Sequence, residues 1–302
     1  MRDKYNYLKK KYPGSIYFDE NLSKYNWFNL GGPAEIFYRP KDESELLNFL
    51  KSEGQIFDNI NILGAGSNTL IRDGGVNDLT IKLSSKFSYI KKIKENLIEV
   101  GGATLDKKIS DFASLNSISG MEFLACIPGS LGGAIVMNSG CYNNEISNLI
   151  QSVNIIDFNG IKKEIKKKDL KFFYRGSSLP KHCLIISAIL MGKKGNKDEI
   201  VKKQFEMIEK KKITQPSRVK TCGSTFKNPP NEKAWNLIKR SNCENLTVGN
   251  AKLSTKHSNF LINEGAASSK EIEELIKKVQ QQVLNETGIK LDLEIKVIGE
   301  KN

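Results

Sequence analysis

Apolar positions recur along this chain at helical spacing in some stretches and in short strand-like runs in others. Asp42 stands where an N-cap belongs, ahead of Leu46, Leu47 and Leu50 on one face and Gly54 as a stop. A second helix is predicted over 105–115, with Ile109, Phe112 and Ala113 facing one way. A third, over 198–212, should turn Ile200, Val201, Phe205 and Ile208 to a core and end before Gln215-Pro216. A short helix covers 234–240. The longest follows Ser268, where Glu271 completes a capping box and Ile272, Leu275, Ile276, Val279 and Val283 line one face. Residues 1–11 read as a frayed polar helix closed by Pro13-Gly14.

The strand-like runs lie between these helices. They are 36–38, 61–63, 79–83, a hairpin over 90–100 that turns near Glu95-Asn96, and a buried run at 184–190. Residues 153–165 form the best hairpin signal, because Asn159-Gly160 suits a type I′ turn. The closing strand sets Leu291, Leu293, Ile295 and Val297 against Asp292, Glu294 and Lys296. The pattern predicts an α+β protein in three regions, 1–88, 89–195 and 196–302.

Composition narrows the class. The chain has 302 residues, 39% hydrophobic and 27% charged, which fits a folded, soluble protein rather than a disordered one. A net charge of +13 suits anionic partners. The lysine runs at 166–168 and 210–212 nevertheless lack the interleaved aromatics of a nucleic-acid groove, so solvated faces account for them and no nucleic-acid partner is expected. Five cysteines without a C-x-x-C pattern point to reduced thiols, and Cys126 and Cys222 read as small packing residues. Two histidines supply neither a zinc site nor a histidine-based triad well, so no metal is expected. The apolar run at 183–191 is far shorter than the ~20 residues of a membrane helix, and the first residues show no signal peptide. The expectation is a cytoplasmic monomer without a membrane contact.

Four stretches are candidates for chemistry. Gly64, Ala65, Gly66, Ser67 and Asn68 follow a strand and can cradle a phosphate with backbone N–H groups, although an ordinary strand-ending turn would look the same. Thr69 occupies the third glycine position of a Rossmann turn, and no Gly-Lys-Ser/Thr follows, so neither familiar nucleotide motif applies. Pro128, Gly129, Ser130, Gly132 and Gly133 make a second such stretch, continued by Asn138-Ser139-Gly140; two glycine cradles suit a dinucleotide. Arg175 follows three aromatics and can fork onto a carboxylate or phosphate, or simply lie at the surface. Residues 221–229 gather hydroxyls, Lys227 and Asn228 around Ser224, a candidate proton donor or a local turn. Glu294 sits on the polar face of the last strand, where a solvated carboxylate is the plain reading.

Together these stretches carry a resemblance that spacing alone does not supply. The runs at 63–68, 120–134, 174–177, 223–229 and 257–263 stand in the order seen in the UDP-N-acetylenolpyruvoylglucosamine reductase family, and the similarity spans 26–298. The resemblance implies FAD held by the first two regions in a fold of the vanillyl-alcohol-oxidase type, with a third domain closing over substrate. It implies NADPH as co-substrate, the UDP-sugar enolpyruvyl ether as acceptor, and Arg175, Ser224 and Glu294 as catalytic residues. The tyrosine-bearing loop of some members has no counterpart between Gly176 and Cys222, which implies the family's shorter branch and leaves Lys227 and Asn228 as the expected contacts to the diphosphate. Another FAD-dependent oxidoreductase of the same fold, acting on a small alcohol or hydroxy acid, is the alternative.

Overall fold

A computed structural model describes residues 2–301, and the chain divides in it into two compact units, each assembled from separate stretches. The first unit comprises Met1–Phe18, Ile36–Ala65 and Asp78–Lys211; the second comprises Asp19–Glu35, Gly66–Asn77 and Lys212–Asn302.

The first unit contains helices α1 (Asn6–Lys11), α2 (Glu43–Glu53), α3 (Asp106–Leu115), α4 (Leu131–Val136) and most of α5 (Lys197–Thr214). The Asp42 carboxylate accepts from Glu45 N–H at 2.9 Å, so the N-cap of α2 forms as its sequence predicts. Met1, at the head of the predicted 1–11 helix, lies outside the described residues. The remainder is not a frayed polar segment. Tyr5, Leu8 and Tyr12 are buried at helical spacing, with Tyr12 edge-on to Phe49 at 5.1 Å and Tyr5 stacked on Phe57 at 5.4 Å.

Helix α5 also turns a different face inward from the one its hydrophobic pattern predicts. Val201 and Phe205 are 46% and 62% exposed, whereas Ile200 and Gln204 are buried. Gln204 donates to Asp111 of α3 at 2.8 Å, and Lys211 donates to the Cys126 carbonyl at 2.6 Å. Polar groups satisfied by hydrogen bonds thus lie on the packed face, where a hydropathy count does not look for them.

The two larger sheets that run through this unit carry most of its core. One is antiparallel, in the order Lys162–Lys166, Ile150–Asp157, Cys183–Met191, Leu97–Gly101, Ile90–Lys94. Its middle strands bury both faces, with Val153, Ile155 and Ile185 in one core and Ile156, Leu184 and Ile186 in another. Double burial explains why 184–190 reads as one apolar run. In the 157–161 turn only Gly160 takes a positive φ (+73°), where a type I′ turn needs two such residues. The Asp157 carboxylate sets this turn instead, accepting from Asn159 N–H at 3.1 Å and Ile161 N–H at 2.9 Å. The other sheet takes from this unit residues 16–18, 36–38, 78–81 and 60–62 in that order, the last two strands parallel.

The second unit holds α6 (Ala234–Arg240), α7 (Ser269–Thr287) and an antiparallel sheet of Thr247–Val248, Ala251–Leu253 and Leu261–Asn263. Thr69–Ile71 pairs in parallel with Lys296–Ile298. The closing strand is regular only over those three residues; Leu293 makes an isolated bridge to Phe226, and Leu293 and Val297 are only partly buried. In α7 the capping box is complete, and Ile272, Leu275, Ile276, Val279 and Val283 are all buried. The overall class is α+β. Replacing Ser268 with Ala should therefore lower stability by about 1 kcal/mol, because the N-cap bond to Glu271 N–H is lost. Urea unfolding of the two proteins measures it, and an unchanged midpoint would remove the box from the account.

Candidate functional site

In the first unit the two glycine stretches meet. Leu63 N–H donates to the Ile81 carbonyl at 2.9 Å, which carries the chain to Gly64 at the end of its strand. A Cβ on Gly64 would come within 3.1 Å of Ser130 Oγ, so no side chain separates the first turn from the second stretch. Residues 102–106 run alongside that second stretch. Gly132 N–H donates to Gly102 C=O at 2.9 Å, Leu131 N–H to Thr104 C=O at 2.9 Å, and Asp106 N–H to Gly129 C=O at 3.1 Å. The N–H groups of Leu131 and Gly132 thus brace the stretch from behind.

Two charged residues that the pattern of the sequence did not single out lie under these turns. Lys82 follows the strand Val76–Ile81, its N–H bonded to Tyr38 C=O at 3.0 Å, and its ammonium donates to the Gly64 carbonyl. Burial pulls Lys82 down to about 8, and the positive charge of Arg39 acts in the same direction. A lysine lowered by desolvation and a neighbouring cation marks a place where a negative charge is welcome. Asp106 is the opposite case. It is fully buried, and neither carboxylate oxygen has a hydrogen-bond partner among the described residues. Burial alone pushes it well above the usual carboxylate range. A Cβ on Gly129 would lie 2.6 Å from Asp106 Oδ2, so the carboxyl packs directly against the backbone of this turn.

Arg175 occupies the turn between Phe172–Phe173 and Gly176–Ser177. Its φ is +58°, a region that non-glycine residues enter at a cost of order 1–3 kcal/mol. Its guanidinium lies over the Tyr174 ring, 4.9 Å from the centroid. Asn138 supports this hairpin from behind: it is buried, and its amide donates to Glu145 Oε2 at 2.7 Å and to Phe173 C=O at 3.2 Å.

In the second unit, Gly66 has φ +71°, and a Cβ there would stand 2.0 Å from the Tyr25 carbonyl oxygen. Only glycine fits. Asn68 binds the C-terminal segment with both ends, its side chain donating to Glu294 C=O at 3.1 Å and its carbonyl accepting from Lys296 N–H at 2.9 Å. Glu294 N–H donates in turn to Thr225 C=O at 2.8 Å, and Lys227 N–H to Asp292 C=O at 2.8 Å. On its other side the same segment pairs Ser224 with Phe260, and Asn259 brackets Phe226 by two side-chain bonds of 2.9 and 2.8 Å. Residues 224–227 therefore form an irregular strand between 259–260 and 292–295, rather than a self-contained turn. Half-buried Ser224 and half-buried Glu294 stand on adjacent segments. Asn228 accepts from Ala234 N–H at 3.0 Å at the start of α6, and Lys227 is half-buried beside it. Cys222 is buried, its thiol 3.2 Å from Thr69 C=O, which fits a packing role.

A cavity of about 370 Å³ opens elsewhere in the second unit, lined by Trp235, Lys239, Lys256 and His257 among others, and not by Ser224 or Glu294. His257 Nδ1 is buried with no hydrogen-bond partner among the described residues, and burial lowers the ring's pKa. Among the described residues no group of three or more His, Cys, Asp or Glu could hold a metal, and no helix is long and apolar enough to cross a membrane.

Comparison with known proteins gives consistent matches along most of the chain. Residues 215–298 match the profile of the UDP-N-acetylenolpyruvoylglucosamine reductase C-terminal domain, and residues 34–165 match an FAD binding domain. The chain is 44% identical to the UDP-N-acetylenolpyruvoylglucosamine reductase of Pelagibacter ubique over 94% of each chain. It is 41% identical to that of Rickettsia bellii over 93% of each. The crystal structure of the Thermus caldophilus enzyme of this name superposes with a TM-score of 0.81 at 31% identity, over 94% of this chain and 98% of that one.

The Asp106 carboxyl yields a test by titration. Its pKa in the fold lies above that of the unfolded chain, about 4. The stability it contributes is present below pH 4 and is lost as pH rises through the folded value, by up to about 1.4 kcal/mol per pH unit. Asp106→Asn removes this dependence, so its stability relative to the parent should rise between pH 4 and pH 7. Urea unfolding at both pH values that gave the same difference would exclude a buried neutral acid.

Proposed function

From the premise that the chain belongs to the UDP-N-acetylenolpyruvoylglucosamine reductase family, we propose that it reduces UDP-N-acetyl-3-O-(1-carboxyvinyl)-glucosamine to UDP-N-acetylmuramate. FAD is the bound cofactor and NADPH the co-substrate, and the reaction supplies peptidoglycan precursor in the cytoplasm. The observation that carries this reading is the backbone pairing that holds Ser224 and Glu294 on adjacent segments.

The residues present fit FAD. Gly64 and Ser130 leave a face without intervening side chains, and Lys82 with Arg39 offers positive charge beside it. Gly64 to Asn68 and Pro128 to Gly133 would cradle the pyrophosphate. When bound, FAD would supply the hydride chemistry between NADPH and the methylene carbon of the enolpyruvyl group. Arg175 holds the substrate carboxylate and stabilises negative charge as it develops there, using a cation that never loses its proton. Glu294 would stabilise enol-like charge by hydrogen bonding. Ser224 would deliver a proton to the adjacent carbon; a hydroxyl is a weak acid, so this step requires a strongly basic carbon and a donor already positioned against it. Lys227 and Asn228 would hold the diphosphate.

Anaerobic NADPH should bleach the flavin absorbance, and the enolpyruvyl UDP-sugar should restore it. Failure to restore it would end the assignment. In Ser224→Ala the first half-reaction should survive, while the second slows about 100-fold or more; equal loss of both would refute its role as proton donor. Lys82→Met should weaken FAD binding about tenfold, since a charge-assisted hydrogen bond contributes roughly 1.5–3 kcal/mol. Parent affinity should also fall as pH rises through about 8, where Lys82 loses its proton in the flavin-free protein. Fluorescence titration of FAD reads both effects, and equal affinity of parent and variant would remove Lys82 from the cradle.

A further inference from the structure

Arg175 is held in a conformation that its own hairpin is too short to enforce. The strands Phe172–Phe173 and Gly176–Ser177 have two residues each, and Arg175 at the tip has φ +58°. An isolated hairpin is marginal in water, and a strained residue persists only where its surroundings over-determine it. At the base, Ser178 N–H donates to Lys171 C=O at 2.8 Å and Lys171 N–H donates to Ser178 Oγ at 2.8 Å. Nearer the tip the support comes from the end of α4. Ser177 Oγ donates to Val136 C=O at 3.3 Å, and the Asn138 amide donates to Phe173 C=O at 3.2 Å. That carbonyl belongs to the peptide joining Phe173 to Tyr174, the first residue of the tip.

Backbone and side chain both fix Asn138 in this place. Its N–H donates to Ile135 C=O at 3.2 Å, Ser139 N–H donates to Ala134 C=O at 2.8 Å, and its φ is +41°. This is a Schellman ending to α4, with asparagine at the left-handed position that glycine usually takes. The side chain is buried. Its Nδ2 faces two acceptors, Glu145 Oε2 at 2.7 Å and Phe173 C=O, while its Oδ1 accepts from Ser147 N–H at 3.3 Å. An asparagine amide has two N–H donors, and both are spent on the protein. Glu145 is anchored on the same loop, because Asn144–Glu145 pairs with Gly140–Cys141 and Glu145 stands opposite Gly140.

We propose that Asn138 and Glu145 form a clamp that positions Arg175 for reaction, and that Asn138 is a positioning residue rather than a contact to the cofactor. Glu145 takes one amide hydrogen of Asn138, which aims the other at Phe173 C=O and holds the peptide that leads into the strained tip. Helix α4 begins in the 128–133 stretch and ends at Asn138, so one short helix sets the arginine relative to that glycine stretch. The inference rests on the role proposed above for Arg175. A guanidinium that must meet negative charge as it develops is sensitive to placement, and a shift of about 1 Å can cost about 100-fold in rate.

The direct test is FAD-loaded Asn138→Gly, because glycine keeps the left-handed end of α4 and removes only the amide. FAD affinity and flavin reduction by NADPH should stay at the parental values, while reoxidation by the enolpyruvyl UDP-sugar slows about tenfold to 100-fold. Glu145→Ala should slow the same step, and Glu145→Gln, which keeps an acceptor for the amide, should recover most of the rate. These two variants alter a half-buried side chain, so they decide the matter even if Asn138→Gly folds poorly. Arg175→Ala should itself slow reoxidation, and adding Asn138→Gly to it should change nothing more. Parental reoxidation in Asn138→Gly, equal loss of both half-reactions, weakened FAD binding, or additive loss in the double variant would each overturn the clamp while leaving Arg175→Ala slow. Parental reoxidation in Arg175→Ala would instead overturn the role of Arg175, and the clamp with it.

Discussion

Residues 292–298 are hydrogen-bonded along both edges, to Thr225 and Lys227 on one side and to Asn68 and the strand Thr69–Ile71 on the other. Backbone groups buried between two segments must find partners, and here each finds one from a remote part of the chain. This shared segment fixes how the 224–227 run lies relative to Glu294. A displaced register would turn the Glu294 side chain to the opposite face. The placement of the carboxylate is therefore a property of the whole ladder rather than of residue 294.

The first unit shows a different economy. Lys82 is held below its ordinary range and Asp106 above it, both by burial, and both lie against glycine turns. Neither arrangement favours the folded chain by itself. A buried polar group without a partner costs about 1–3 kcal/mol, and a desolvated cation beside another is strained in the same sense. Such local conflicts persist where a site needs them, and the positive φ of Arg175 belongs with them.

Much of this was legible in the sequence. The capping box at Ser268, the N-cap at Asp42, both long hairpins and the α7 core face follow from local patterns, and local patterns are what sequence reading captures. The family motifs marked the glycine stretches and Ser224. What escaped notice was decided across long separations. Gln204 and Lys211 make the packed face of α5 by bonding to Asp111 and Cys126, so Val201 and Phe205 face outward. Asp157 overrides the preference of Asn-Gly for a type I′ turn. Lys82 and Asp106 look like ordinary surface residues until the strands around them are in place.

The parallel pair of Thr69–Ile71 with Lys296–Ile298 also bears on how the chain is made. Glu294, the partner of Asn68, lies 226 positions further along the sequence. A ribosome adding about 5–20 residues per second needs roughly 10–45 s to span that gap. For that interval a short apolar strand has no neighbour on the edge that Lys296–Ile298 will occupy. Residues 19–35 and 66–77, both assigned to the second unit, emerge long before most of their core exists. The second unit is thus completed only once residues 292–298 have been made, while most of the first can already have folded. A nascent chain stalled before residue 292 would lack the segment that positions Glu294, and would carry an open strand edge of the kind that invites aggregation or holding by chaperones.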